Sequence, residues 1–267
     1  MKDNKETIKK NFSKFASYYE DYAVVQKIGV SWIIERLKLL KNSFIDAPFL
    51  EIGCGTGIIT IPLVSIFNDR KIIVSDLSQE MLEICKQKTN SSGIDYSMVE
   101  WSCIDGEYLT EENVYSLVIS GFTFQWFKDI YGSIKNIMNS LKQGGYLIFS
   151  FLGENSFKEW KKKCNQLNYS YTGNPLPSVN AIEKKLLADN FQVLSHKEEL
   201  RIKYPSSKKF FQSLKRLGAG TSISKEALTL SQMKNLINFW NNENPDGCNV
   251  TYELCYMIIG KKEKPLL

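Results

Sequence analysis

The 267-residue sequence predicts an α/β protein: a doubly wound, mostly parallel seven-stranded sheet with helical insertions. Three observations predict it. Short apolar segments alternate with helix-length ones between residues 49 and 152, the rhythm of βαβ units. A glycine run follows the first of these segments, where a chain passing from strand to helix must turn sharply. Two more strand-like stretches, 191–204 and 250–261, lie beyond the alternating part.

Taken in order, Ile8, Phe12, Phe15 and Tyr19 are spaced at helical intervals, and Val24, Ile28, Trp32, Leu37 and Leu40 continue the pattern. Two helices are expected in the first 40 residues, joined around 17–22. Strands are expected at 49–53, 71–76, 96–103, 115–121 and 146–152. Helices fall between most of them, at 79–89 and at 129–141, where Ile130, Ile134, Ile137 and Leu141 share a face. Pro62 fits poorly inside the helix after Gly57, so a kink or a late start is expected there. Gly144-Gly145 reads as a helix stop feeding the next strand.

After Leu152 the alternation lapses. Residues 156–167 read as a helix, 168–178 as a Gly- and Pro-marked loop, and 179–189 as a helix capped by Ser178. Two further helices, 207–217 and 231–241, precede the final strand. Without repeats or low-complexity linkers, 1–267 reads as one domain. Within it lie an N-terminal helical segment (1–42), a ligand-binding core (49–152), insertions at 153–178 and 205–249, and last strands at 191–204 and 250–261.

Composition narrows the class. With 43% hydrophobic and 24% charged residues, the chain is neither a disordered tail, nor collagen-like, nor a disulfide-stapled miniprotein. Its net charge of +5 is too small to argue for nucleic acid, yet suits an acidic partner. None of the six cysteines forms a C-x-x-C pair, and one histidine cannot complete a Cys/His zinc site, so no metal is expected. Buried, reduced thiols in a reducing compartment are the expectation for them. The opening MKDNKETIKK lacks a following apolar stretch, and no apolar run spans a bilayer, so a cytoplasmic protein without membrane contact is expected.

The strongest local signal is Glu51-Ile-Gly53-Cys-Gly55-Thr-Gly57 after the apolar Phe49 and Leu50. The dinucleotide fingerprint is G-x-G-x-x-G, whereas the spacing here is G-x-G-x-G, which disfavours a nicotinamide-dependent reductase. Asp76 ends the next strand 23 residues beyond Gly53, where an acid accepts the hydroxyls of an adenosine ribose.

E-x-G-x-G-x-G with a strand-ending acid resembles the S-adenosylmethionine site of class I methyltransferases. The resemblance implies a Rossmann-like fold and cofactor contacts from Glu51, Gly53, Gly55 and Gly57 at the methionine end, with Asp76 on the ribose and Leu77 on the adenine face. It places Asp105, in Cys103-Ile-Asp105-Gly-Glu107, near the adenine amino group, and Ser120, opening Ser120-Gly-Phe-Thr-Phe-Gln125-Trp126, beside the methyl donor.

Outside that core, Phe12-Ser-Lys14-Phe-Ala16, Tyr19-Glu20-x-x-Ala23-x-x-Gln26, Gln125-Trp126, Gly153-x-Asn155-Ser156-Phe-x-Glu159, Leu214-Lys215-Arg-Leu217-Gly218-Ala219 and Val250-Thr-Tyr252-Glu253 are similar to the malonyl-acyl-carrier-protein O-methyltransferases of biotin synthesis (the BioC family). Lys14, Phe15 and Gly121 depart from that family's usual residues, all on the substrate side. The resemblance implies esterification of the malonyl carboxylate on acyl carrier protein, with residues 1–42 as a lid. It makes Tyr19 and Gln26 the lid residues over cofactor and acceptor, and Gln125 and Trp126 the lining of the acceptor channel. An acidic carrier needs a basic face, for which Lys161, Lys162 and Lys163 compete with Lys208, Lys209, Lys215 and Arg216. The rival readings are a class I methyltransferase of a free small-molecule carboxylate or quinone precursor, and a non-catalytic carrier-protein adaptor.

The single histidine bears on the acceptor. An amine or hydroxyl sheds a proton during methylation, whereas a carboxylate with a pKa of about 4 arrives ionised and needs alignment rather than a base. His196, within 192–200, is remote from every motif above and is expected to be structural or superficial.

Overall fold

The computed structural model describes residues 4–220 and 227–261. Residues 1–3 of the expected N-terminal segment and 221–226 of the expected second insertion therefore lie outside the described residues. The chain opens with α1 (Asn4–Phe15), a 3-10 turn (Ala16–Tyr18), the short α2 (Tyr19–Tyr22) and α3 (Val24–Leu39). The alternating part follows: β1 (Phe49–Ile52), α4 (Thr60–Ile66), β2 (Ile72–Asp76), α5 (Gln79–Ser91), β3 (Val99–Cys103), β4 (Tyr115–Gly121), α6 (Ile130–Ser140) and β5 (Leu141–Leu152). The rest is α7 (Lys158–Gln166), α8 (Val179–Ala188), β6 (Gln192–Tyr204), α9 (Ser207–Arg216), α10 (Leu230–Glu243) and β7 (Cys248–Gly260).

The seven strands form one sheet in the order β3-β2-β1-β4-β5-β7-β6. β1 to β5 pair in parallel, and β7 inserts antiparallel between β5 and β6. Alternation along each strand divides the core in two. Phe49, Leu117, Ile148 and Ile258 face one layer, in which α3 and α4 supply Ile33, Leu37, Leu63 and Val64. Leu50, Val118, Leu147 and Ile259 face the other, where α6 and α8 supply Ile134, Ile137, Ile182 and Leu186.

Three local expectations are settled by backbone chemistry. α4 begins at Thr60, which leaves Pro62 in the first turn, where its missing N–H is not required. β5 starts at Leu141 rather than at Tyr146: Tyr115 pairs with Leu141 and Leu117 with Tyr146, so Gly144 and Gly145 sit in a bulge inside the strand instead of stopping a helix before it. Ser178 stands at the N-cap of α8, but its hydroxyl donates to the Glu154 carboxylate and makes no cap bond. Five of the free cysteines are buried; Cys103 is exposed, against expectation, because it ends the outermost strand β3. His196 is an exposed residue of β6, stacked parallel to Trp32 at 5.8 Å. None of the described helices is long and apolar enough to cross a membrane.

Candidate active site

The carboxyl ends of β1, β2 and β4 converge on one edge of the sheet, the usual position of ligand sites in open α/β folds. There the loop after β1 crosses in front of β2. Gly53 has φ +71°, and a Cβ on it would lie 2.2 Å from Thr123 Oγ1, so only glycine fits between the loop and the turn after β4. Gly55, at φ +54°, has nothing within 4 Å of its Cβ direction, leaving its backbone open. Its N–H donates to Asp76 Oδ2 at 2.9 Å, and Asp76 Oδ1 accepts from Ser78 N at 2.8 Å. Burial raises the Asp76 carboxyl above the ordinary aspartate value, and these backbone donors restrain that rise.

A cavity of about 100 Å³ at this edge is lined by Gly53, Gly55, Asp76, Leu77 and Asp105, and is roofed from α1 by Lys5, Ile8 and Phe12. Glu51 and Gly57 are not part of its wall. Glu51 is buried beneath the loop and accepts from Thr60 Oγ1 at 2.8 Å. Burial raises its carboxyl to about 8, with Thr60 pulling the other way and Asp76 adding to the rise. Gly57 packs against Cys85 of α5. Ser120 is fully buried and donates to Ile52 O at 2.7 Å, tying β4 to β1; the cavity wall at this point is Gly121, Phe122 and Thr123.

The roof is held by side chains distant in sequence. Lys5 Nζ contacts Asp105 Oδ2 at 2.5 Å and also pairs with Glu107. Burial lowers the Lys5 ammonium pKa, but hydrogen bonds to these two acids outweigh it and leave the value raised. Ser13 Oγ donates to Glu80 Oε2 at 2.6 Å, and Glu20 accepts from Thr56 Oγ1 at 2.9 Å while pairing with Lys88. Neither Lys5 nor any of these pairings is legible in the sequence, because each pair joins segments that are far apart along the chain.

A second cavity of about 630 Å³ adjoins the first. It lies between the α1–α3 segment and the insertions, with Gln26, Gln125, Phe157, Trp160, Phe211 and Tyr252 in its wall. Phe12, Tyr19, Phe122 and Trp126 line both cavities and so form the boundary between them. Burial, reinforced by Asp76 and Glu20, holds the Tyr19 phenol well above its ordinary pKa, so it stays protonated. Gln26 Oε1 is buried with no hydrogen-bond partner among the described residues, whereas Gln125 Oε1 accepts from Leu152 N at 3.3 Å. The wall of this cavity carries no acid among the described residues; its charged groups are Lys14, Lys208 and Lys215.

The two lysine runs differ. Lys163 is buried and paired with Glu243, and Lys161 donates to Glu154 O at 2.6 Å, leaving Lys162 exposed on α7. On α9, Lys208, Lys209, Lys215 and Arg216 are all exposed, and the Arg216 guanidinium lies 4.9 Å from the Tyr18 ring.

Sheet order, glycine loop and a half-buried strand-ending acid define the class I methyltransferase fold, and the family model described as "Methyltransferase domain" matches residues 50–149, from β1 nearly to the end of β5. A malonyl-[acyl-carrier protein] O-methyltransferase of Priestia megaterium is 35% identical, over 96% of this chain and 97% of its own length. Malonyl-[acyl-carrier protein] O-methyltransferase 2 of Ilyobacter polytropus is 30% identical, over 97% and 98%. The chain belongs to the malonyl-[acyl-carrier protein] O-methyltransferase family. Among solved structures, the YcgJ protein of Bacillus subtilis superposes with a TM-score of 0.57 at 16% identity, covering 85% of this chain and 97% of that one. The [4+2]-cyclase SpnF gives 0.52 at 16%, covering 88% and 81%. These two share the fold, and since one is a cyclase, the fold alone does not assign a reaction.

Proposed function

We propose that this protein transfers a methyl group from S-adenosylmethionine to the free carboxylate of a malonyl group held on acyl carrier protein. The observation that carries the reading is the large cavity whose described wall holds three lysines and no acid, set beside the glycine loop and Asp76. An anionic acceptor is favoured there and a cationic one is not.

Donor binding falls to the open backbone at Gly55 and the carboxylates of Asp76 and Asp105, with Gly53 giving the loop its turn, Leu77 packing on the adenine and Glu51 bracing the loop from below. Gly57 acts through helix packing, and Ser120 through the β1–β4 tie. When bound, S-adenosylmethionine supplies an electrophilic methyl group on a sulfonium. The chain's part is to align and desolvate the acceptor. Tyr19, protonated at all working pH values, offers an O–H donor and no base. Gln26 lies in the cavity wall, where its amide N–H, not its unpaired buried oxygen, is the group that can donate to an acceptor carboxylate. Phe12, Phe122 and Trp126 exclude water from the boundary, and Gln125 holds the start of the insertion through Leu152 N. A pre-ionised carboxylate requires nothing more, which accords with a lone histidine that lines neither cavity.

The carrier docks, in this reading, on the α9 side, where Lys208 and Lys215 reach the cavity and Lys209 and Arg216 flank them; Lys14 joins from α1. The α7 run is less suited, since Lys163 is already neutralised by Glu243. The protein is taken to work in the cytoplasm, without metal.

The test is methyl transfer from labelled S-adenosylmethionine to malonyl-carrier protein, compared with free malonate. A base-labile product formed at least a hundredfold faster on the carrier is expected, with kcat lowered in Tyr19→Phe. Equal rates on free malonate would move the assignment to a small-molecule acceptor. Binding of the donor without any transfer would leave an adaptor.

A further inference from the structure

Two features that a folded chain normally avoids meet at the boundary between the cavities. Phe122, the first residue after β4, has φ +54°, a region that bulky side chains rarely occupy. Its backbone is fixed there by the donation of its N–H to Ser150 O at 2.9 Å, and the residue is buried. Facing it is Gly29, inside α3, where glycine is a poor helix former. A Cβ on Gly29 would lie 2.3 Å from Phe122 Cζ and 2.7 Å from Cε2, so the missing side chain is what makes room for the ring. Backbone strain of this kind gathers where a fold must hold a group in one place. Here the group is one of only four described residues common to both cavities.

We propose that the Phe122 ring, seated in the notch at Gly29, is a positioning gate that sets the passage between the donor and acceptor cavities. The inference rests on the methyl-transfer reading above. In that reaction a carboxylate oxygen forms a bond to the methyl carbon as the carbon–sulfur bond breaks, its electron pair passing to the sulfur, with no proton exchanged. Such a displacement demands a collinear approach, and rates fall steeply with small errors of placement. A ring displaced from the notch enters the passage or leaves it open to water, while the glycine loop and Asp76 are untouched.

The test is Gly29→Ala. A methyl group in the notch is expected to lower kcat on malonyl-carrier protein more than tenfold, with donor affinity by calorimetry unchanged within twofold. Adding Phe122→Leu to that variant is expected to recover at least half of the lost rate, because the smaller side chain clears the new methyl. A Gly29→Ala enzyme with wild-type kcat would overturn the gate. So would a loss that Phe122→Leu fails to rescue, or one matched by an equal loss of donor affinity, either of which marks a merely structural role. The gate can also be read without an acceptor: a crystal structure of Gly29→Ala is expected to show the ring swung out of the notch, and a ring still in place refutes the proposal. Failure of the wild-type enzyme to methylate malonyl-carrier protein, by contrast, removes the acceptor assignment and leaves the ring measurement standing.

Discussion

The two cavities are built from opposite materials. The donor side is made of backbone and half-buried acids: a glycine loop, Asp76 bridging Gly55 and Ser78, and Asp105 at the start of a 3-10 turn. The acceptor side is several times larger, walled by aromatic rings and, among the described residues, charged only by lysine. In the proposed reaction the first recognises a ligand that does not vary and holds its shape through hydrogen bonds. The second, in the same proposal, receives a long group from another macromolecule, and non-directional apolar contact suits it. Specificity for the donor is thus expected to break with single polar substitutions, and specificity for the acceptor to erode gradually.

The strongest way to break this contrast is Asp76→Ala. Losing a charged acceptor for two backbone donors, at about 1.5–3 kcal/mol, is expected to weaken donor binding at least tenfold by calorimetry while leaving carrier affinity intact. An undiminished donor affinity would dissolve the distinction. Next comes Glu51. Its carboxyl is neutral at pH 7 in the folded protein, since burial holds its pKa at about 8, and ionised in the unfolded chain. The folded state therefore binds a proton that the unfolded state lacks. This contribution is complete below about pH 4, and it is lost as pH rises to about 8, at no more than about 1.4 kcal/mol per unit. Glu51→Gln, which keeps an acceptor for Thr60, is expected to flatten the decline of Tm between pH 5 and 8; an unchanged slope would mean that the carboxyl is ionised in the fold.

On the acceptor side, the double reversal Lys208→Glu with Lys215→Glu is expected to raise KM for malonyl-carrier protein by about tenfold at low salt and less at high salt. Donor affinity should not move, and reversal of Lys162 on α7 should have little effect. The smallest effect is expected for Ser120→Ala. Removing its bond to Ile52 O should cost about 1 kcal/mol of stability in denaturant titrations, with donor affinity unchanged. A drop in affinity would return Ser120 to the binding wall.

The same contrast explains what could be read from the sequence. The glycine loop, Asp76, Leu77 and Asp105 lie in short local motifs at strand ends, where the chain's own geometry dictates their place. The acceptor wall gathers α1, α3, the 168–178 loop, α9 and α10 from across the chain, so spacing says little about it. Lys5 carried no signal, since its partners are about 100 residues away. Lys163 did carry one: it shares a helical face with Trp160 and Cys164, all three buried, which sets it apart from Lys162. Gly29 was a further signal, an isolated glycine within the apolar run that forms α3, whose reason emerged only with the ring of Phe122 opposite.

The placement of β7 has a consequence for how the molecule is made. Among the described residues β6 pairs only with β7, and β7 pairs with β5 across positions such as Tyr146 and Gly260, more than 100 residues apart. On a ribosome, β1 to β5 can form their parallel half early, but β5 keeps an open edge and β6 has no neighbour until β7 emerges. Tyr252 of the acceptor wall arrives with that strand. Contacts of such separation form slowly, and an exposed edge in the meantime invites pairing with other chains. The nascent enzyme would thus acquire the framework of its donor half first and its acceptor half last, and chains stopped before β7 are expected to aggregate rather than to persist as donor-binding fragments.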